Sequence, residues 1–213
     1  MRRFIFSALV CVLSLTGLWV PPALADVFVW QDAKTGLSLS FPDTWSVVNT
    51  ADSDELIRIA APAAADEAQC RIRARTDRRF VIYPPRYDSS IQKVAYDRAF
   101  WSEFLEQEYS EPTIETYKDS GGLGRGYGSS VLASFLVAGP ESDSSRRGVA
   151  FVALYRDKAY IAECSALRGA YPAWDPVFRS IVKSVDFRKI SHELPTGHYR
   201  NFLYRTSFWD MFR

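Results

Sequence analysis

The sequence predicts an α+β fold, in which an antiparallel β-sheet carries helices packed against it. Short segments that alternate apolar and polar residues, as half-buried strands do, fill most of residues 26–188. Two longer segments repeat their apolar residues at three- and four-residue steps, which is typical of amphipathic helices. Turn residues follow the strand segments closely, so we expect antiparallel hairpins.

The first part of this region is a series of predicted strands. Val27–Trp30 and Leu37–Phe41 flank a polar turn that ends at Gly36, which indicates a β-hairpin. Pro42 and Asp43 then turn the chain into the next strand. The remaining strands of this part are predicted at residues 45–48, 56–60 and 70–75.

Two helices interrupt the strands. From Ser89 or Ser90 to Tyr109 the apolar spacing predicts one long helix behind a serine cap. A second helix is expected from near Pro172, since proline is tolerated in a first turn, to near Ser184. Between the helices, strands are predicted at residues 113–117, 131–137, 149–155 and 160–167.

A glycine-rich segment runs from Gly121 to Gly128. Glycine lets backbone amides approach an anion, so a phosphate cradle is one interpretation. The segment lacks the Gly-Lys-Ser/Thr ending of a P-loop and does not lead into a helix. We therefore favour a hairpin turn that continues into a strand.

The two ends of the chain differ from this region. Arg2 and Arg3, an apolar run and the small-residue site Ala23-Leu24-Ala25 predict a secretory signal peptide over residues 1–25. A membrane anchor is the alternative, which the intervening prolines disfavour. We expect one domain over residues 26–188, an appended tail over residues 189–213, and a periplasmic or secreted product.

Cysteine usage fits that location. Cys11 leaves with the predicted signal peptide, and Cys70 and Cys164 remain as an even pair. Such a pair in an oxidising compartment predicts a disulfide, which would stabilise the fold by roughly 4 kcal/mol on the loop-entropy model. Two separate buried cysteines are the alternative.

Charge and histidine content exclude several functions. Residues 1–25 hold two of the 26 Lys and Arg residues and none of the 25 Asp and Glu residues, so the remainder has a formal charge of −1. That balance predicts no binding of nucleic acid. The two histidines, His192 and His198, both lie in the tail, so we expect no histidine-dependent catalysis, no metal site and no cofactor.

Three arginines form the candidate anion site. Alternation in residues 70–75 places Arg71, Arg73 and Arg75 on one strand face. Guanidinium groups suit carboxylates and phosphates, so this face is predicted to bind an anionic ligand or an acidic partner. The alternative is a solvent-facing row balanced by acids on neighbouring strands.

The tail is unusually aromatic. Phe202, Phe208, Trp209 and Phe212 lie among arginines, a composition too apolar for ordinary disorder. The tail either packs back on the domain or contacts a protein partner or membrane surface, where mixtures of aromatic residues and arginine are favoured.

Three segments together resemble the PsbP-like family. They are the strand and turn Gly36–Trp45 with Pro42 followed three residues later by tryptophan, the hairpin Ala150–Cys164, and the closing helix that leads to Asp186-Phe187. The resemblance implies a twisted antiparallel sheet between helices, an α/β/α sandwich. It also implies a binding or assembly factor, since the family shares no catalytic set to carry over.

The functional expectation is therefore an exported, non-enzymatic binding or assembly factor with an unknown protein or anionic ligand as its partner. A carrier of a small or lipidic anion is one form of this expectation. An envelope hydrolase that uses carboxylates is the alternative. Its weakness is that pairs such as Asp97 with Glu103, or Glu106 with Glu108, do not differ from ordinary helix-surface charge.

Overall fold

A computed structural model of the chain describes residues 26–50, 52–62, 66–78, 87–124, 126–138 and 144–188. The elements along these residues are β1 (Val27–Gln31), β2 (Leu37–Pro42), β3 (Ser46–Val48), β4 (Glu55–Ala60), β5 (Gln69–Thr76), α1 (Asp88–Ala95), α2 (Arg98–Glu108), β6 (Ser110–Leu123), β7 (Gly126–Val137), β8 (Ser144–Tyr155), β9 (Lys158–Leu167), α3 (Tyr171–Ser184) and β10 (Asp186–Phe187).

The strands form two sheets, and all their pairings are antiparallel. The larger sheet has the order β3-β4-β5-β9-β8-β7-β6, and the smaller has the order β1-β2-β10. The sequence pattern predicted a single sheet. The division falls after β2, where the Trp45 N–H donates to the Pro42 carbonyl and the chain crosses into the larger sheet.

Each face of the larger sheet carries its own core. On one face α1 and α2 bury Trp101, Phe104 and Ile161. On the other face α3 and the smaller sheet bury a separate cluster, which includes Leu39 and Phe178. The predicted α+β class and the α/β/α layering are thus confirmed, with a small sheet added beside α3.

The helix predicted between Ser89 and Tyr109 is in fact two helices. α1 ends at Ala95 and α2 begins at Arg98. The Asp97 side chain caps α2 by accepting a hydrogen bond from the Phe100 N–H at 2.9 Å. Because the apolar spacing continues across this boundary, the spacing alone did not predict the break between the two helices or its capping residue, Asp97.

The glycines of the β6–β7 hairpin serve close packing. Gly124 has φ +58°, and a Cβ there would lie 2.7 Å from the Val185 carbonyl oxygen. At Gly128 a Cβ would lie 1.6 Å from the Val152 carbonyl oxygen on β8. These contacts favour the hairpin interpretation of the segment over a phosphate cradle.

The tryptophan of the resemblance motif lies between β2 and β3 and packs against α3. Trp45 packs edge-on against Trp174 and Phe178, with ring centroids 5.7 and 6.3 Å apart. The motif therefore specifies a core contact, and it carries no information about chemistry.

Candidate functional site

The three arginines of β5 lie on the face of the larger sheet that α2 covers. Arg71, Arg73 and Arg75 share this face, while Cys70 and Ile72 point into the opposite core. Arg73 is only 5% exposed. Each of the three guanidinium groups is paired with a carboxylate, as the alternative of a row balanced by acids predicts. The row is not simply solvent-facing, however, because α2 covers it.

Glu108, at the end of α2, contacts all three arginines. Its carboxylate lies 2.5 Å from Arg73 Nη1, and 3.3 Å from both Arg71 Nη2 and Arg75 Nη2. The last turn of α2 has no basic residue, so β5 supplies the positive charge that favours a helix C-terminus. Burial alone would raise the pKa of Glu108, but the hydrogen bond to Arg73 and the three positive charges outweigh it and lower that pKa.

Arg71 lies at the centre of a second set of contacts. Its Nε donates to Glu163 Oε2 at 2.8 Å, and its Nη2 donates to the Tyr109 hydroxyl at 2.9 Å. That hydroxyl in turn donates to Glu163 Oε1 at 2.9 Å. Burial and the charge of Glu163 raise the pKa of Tyr109, so its hydroxyl remains a neutral hydrogen-bond donor.

The Nε atom of Arg73 is the one buried side-chain polar atom, among the residues that the structure describes, without a hydrogen-bond partner. Such an atom costs about 1–3 kcal/mol of stability. Arg73 is therefore held in the cluster by its bond to Glu108 through Nη1 and not through Nε.

A disulfide lies directly behind this cluster. Cys70 and Cys164 face each other in the register of β5 and β9 and are joined by a disulfide bond, as predicted. Arg71 and Glu163, each adjacent in sequence to one of these cysteines, are the neighbouring cross-strand pair. The disulfide thus joins β5 and β9 on the apolar face of the sheet. The Arg71–Glu163 ion pair joins the same two strands on the opposite face.

A cleft of about 520 Å³ opens beside the cluster. We call it the arginine cleft. It is lined by the end of α2 and by side chains from β4 to β9, and its lining residues are Arg58, Gln69, Arg71, Glu106, Gln107, Glu108, Tyr109, Ser110, Phe135, Leu136, Val137, Ala138, Arg146, Glu163 and Ser165. Arg73 and Arg75 are not among them.

The arginines of the cleft differ in the donors they have left. Arg146 uses all three nitrogens, on Glu67 and on Ser165. Arg58 uses Nε and Nη2 on Glu55 and Asp52. Among the described residues neither Arg58 nor Arg71 has a partner for Nη1, so each retains two N–H donors.

One side of the cleft, next to Arg71, is apolar. The rings of Tyr109 and Phe135 stack with their centroids 3.9 Å apart, and Val137 continues this wall along β7. The cleft therefore combines three arginines and three glutamates with an aromatic and aliphatic patch.

Sequence reasoning found Arg71 but missed its partners. Glu163 was the available clue, because it is the one acid in β9, a strand buried along nearly its whole length. A lone charge in such a strand requires a buried partner. Glu108, Tyr109, Arg58 and Arg146 come from other elements, so only the tertiary structure brings them together.

The remaining residues that the sequence analysis named lie outside the arginine cluster or outside the described residues. Asp97 is the α2 cap, and Glu103 accepts a hydrogen bond from Gln107. The aromatic positions Phe202, Phe208, Trp209 and Phe212 lie outside the described residues. Within the described part of the chain, no three His, Cys, Asp or Glu side chains are grouped to hold a metal ion, and no helix is long and apolar enough to cross a membrane.

The layers form an α+β fold of the PsbP-like type. The chain is similar to the solution structure of the cyanobacterial PsbP protein CyanoP from Synechocystis sp. PCC 6803, with a TM-score of 0.55 and 12% identity over 79% of this chain and 96% of that one. This similarity confirms the predicted fold, and at this identity it concerns the fold alone.

More distant structures are also similar. LpqN, described as involved in cell envelope biogenesis of Mycobacterium tuberculosis, has a TM-score of 0.42 and 9% identity over 77% of this chain and 91% of its own. A protein of unknown function from Pseudomonas aeruginosa has a TM-score of 0.40 and 14% identity over 77% and 99%. No protein-family model and no curated protein matches the chain.

Proposed function

We propose that this protein is an exported, non-enzymatic binding protein that holds an amphipathic anion in the arginine cleft. The ligand class joins a carboxylate or phosphate head to a short apolar part. The observation that carries the proposal is the composition of the cleft, in which Arg58 and Arg71 retain donors and the stacked rings of Tyr109 and Phe135 lie beside Arg71.

The head group is assigned to Arg71. Its guanidinium is held in place by Glu163 and by the Tyr109 hydroxyl. We assign the ligand to Nη1, which has no partner among the described residues. A charge-assisted hydrogen bond from a positioned arginine is among the stronger polar contacts in proteins. Because Arg71 is already fixed, a ligand loses little side-chain entropy in using it.

The apolar part is assigned to the wall of Tyr109, Phe135 and Val137. A volume of about 520 Å³ lies in the range of small-molecule sites and limits the ligand to modest size. Burying a short alkyl chain against this wall contributes about 0.8 kcal/mol for each methylene group. The two parts together select an amphiphile over a bare inorganic anion.

Two features support a binding role over hydrolysis by carboxylates. A general acid needs a carboxyl group with a raised pKa, whereas the pKa of Glu108 is lowered. Glu108 and Glu163 are both hydrogen-bonded to arginine, and these contacts fix them as structural counter-ions.

Two features support export. The disulfide is typical of oxidising compartments and favours an extracytoplasmic protein. The pattern of residues 1–25 supports the finer proposal, a periplasmic or secreted product after cleavage before Asp26. Contact of the tail with a partner or membrane through Phe202, Phe208, Trp209 and Phe212 remains a prediction.

The test is calorimetric titration of the protein with decyl phosphate, with decanol and inorganic phosphate as probes that lack the head or the chain. We expect decyl phosphate to bind at least tenfold more tightly than either. In a double variant, Arg71→Gln with Glu163→Gln, which removes the two charges together, affinity for decyl phosphate should fall roughly tenfold, the equivalent of about 1.4 kcal/mol.

Two control variants complete the test. Arg58→Gln with Glu55→Gln, which removes the two charges of a buried ion pair in the same cleft together, should weaken binding without leaving a buried carboxylate unpaired. Arg179→Gln, on α3 outside the cleft, should leave affinity unchanged. Equal affinity of the protein and the Arg71 double variant for decyl phosphate, or no binding by either, would refute the proposal.

A further inference from the structure

The outer edge of β1 is an exposed, uncharged strand edge. β1 forms one side of the smaller sheet, and among the described residues only β2 pairs with it. Its residues Val27, Phe28 and Val29 are 60%, 50% and 66% exposed. Natural proteins protect such edges with charge, proline or a covering segment, and β1 has no charged residue or proline.

Acids flank this edge at both ends. Asp26 precedes β1 and Asp32 follows it, and Asp43 lies beside Asp26, with its N–H donating to the Asp26 carbonyl. A complementary strand would therefore be apolar in the middle and basic at its ends.

The tail contains a segment with that pattern. Arg200 and Arg205 flank Phe202-Leu203-Tyr204, and Asn201 is uncharged. We propose that residues 200–205 add to the free edge of β1 as an antiparallel strand and extend the smaller sheet to four strands. Residues 189–213 lie outside the described residues, so the inference rests on the edge itself and on where the chain leaves the domain.

The direction follows from that exit point. β10 pairs antiparallel with β2 and ends beside Leu37, and the Arg188 N–H donates to the Gly36 carbonyl. The chain thus leaves the domain at the Gln31 end of β1, since Gln31 pairs with Ser38. A strand that starts there and returns along β1 runs from Gln31 toward Val27, which is antiparallel.

The length of the linker is sufficient. Three strand spacings separate β10 from a strand beyond β1, a distance of about 14 Å. Residues 189–199 span up to about 36 Å when extended. The linker can therefore pass around the β1–β2 turn with slack.

One register satisfies the side chains. With Leu203 opposite Val29, Phe202 lies opposite Trp30 and Tyr204 lies opposite Phe28, which gives two aromatic cross-strand pairs. The same register places Arg200 opposite Asp32 and Arg205 beside Asp26. Sequence complementarity and chain direction thus favour this chain's own tail as the occupant of the edge.

Amide hydrogen exchange tests the proposal on the chain from Asp26 to Arg213. β2 can accept hydrogen bonds from only every second amide of β1. If the other edge of β1 is free, the remaining amides exchange rapidly with solvent. We expect protection at consecutive β1 amides, and at least a tenfold loss of that protection at the outward-facing ones in Leu203→Pro. Ser207→Pro, beyond the proposed strand, is the matched control and should retain protection. Fast exchange of alternate β1 amides in the unmodified chain would overturn the proposal.

A cysteine pair identifies the occupant. In the variant Val29→Cys with Leu203→Cys, a disulfide should form within one chain, and faster than in Val29→Cys with Ser207→Cys. A bond between two chains would assign the edge to a second copy, and equal rates in the two variants would exclude the register. Either result would overturn the proposal.

Discussion

The two faces of β5 differ in what their sequence pattern determines. Cys70 and Ile72 point into the core beneath α3, and the pattern of apolar residues sufficed to place them. Arg71, Arg73 and Arg75 alternate with them, yet their environment depends on Glu108 and Glu163, which lie 33 or more residues away in sequence. An apolar side chain needs only a core, whereas a guanidinium group needs particular partners.

The largest expected effect concerns the apolar face. Replacing both cysteines, Cys70→Ala with Cys164→Ala, should lower the free energy of unfolding by about 4 kcal/mol, because the unfolded chain regains the freedom of a long loop. Urea unfolding monitored by tryptophan fluorescence measures this. A loss below about 1 kcal/mol would mean that the core alone fixes the register of β5 and β9.

On the charged face, Glu108→Gln should lower the free energy of unfolding by about 2–3 kcal/mol, because it removes the carboxylate shared by three arginines and leaves their charges poorly compensated. The same urea experiment on Glu106→Gln, an exposed neighbour on α2, is the control and should change stability by less than about 0.5 kcal/mol. Equal effects of the two variants would mean that the cluster contributes no more than surface charge.

The same carboxylate predicts a dependence on pH. Because the pKa of Glu108 is lowered in the folded state, its stabilisation is complete above its unfolded pKa of about 4.5 and is lost as pH falls through the folded value. Thermal unfolding between pH 3 and 6 should therefore show a shallower acid slope for Glu108→Gln than for the unmodified chain. Part of the slope should persist, since the pKa values of Glu115 and Asp175 are also lowered. Identical acid slopes for Glu108→Gln and the unmodified chain would contradict the lowered pKa of Glu108.

The smallest effect is expected away from both faces. Arg179 pairs with Asp175 at 2.7 Å across one turn of α3, and its side chain is 44% exposed. Arg179→Ala should lower the free energy of unfolding by about 0.5 kcal/mol or less, as is usual for such pairs. If Arg179→Ala lowered the free energy of unfolding as much as Glu108→Gln, the buried cluster would stabilise the fold no more than a surface ion pair does.

Sequence-based prediction succeeded for features set by the local apolar pattern and failed for features that depend on particular partners. Strands β1 to β9, α3 and the Cys70–Cys164 bond were predicted because each depends on local periodicity or on a pairing of the only two candidates. The break between α1 and α2 was missed because Asp97 acts through one capping hydrogen bond that apolar spacing does not register. The second sheet was missed because β10, only two residues long, is defined by its partner β2.

The candidate site shows this limit most clearly. Alternation identified Arg71, but Arg75, which pairs with Asp54 and Glu108, does not line the arginine cleft, and Arg58 joins the cleft from β4. Which arginine keeps a free donor depends on contacts between five separate elements. No pattern within one segment contains that information.

The most direct test of the proposed cleft is side-chain arginine NMR during titration with decyl phosphate. If Arg71 and Arg58 supply the head-group donors, their Nε–Hε and Nη–Hη resonances should shift with a common saturable dependence on probe concentration, while those of Arg179 stay fixed. Resonances of Arg71 and Arg58 that remain unchanged at concentrations where the probe binds would contradict the assignment of the anion to this cleft.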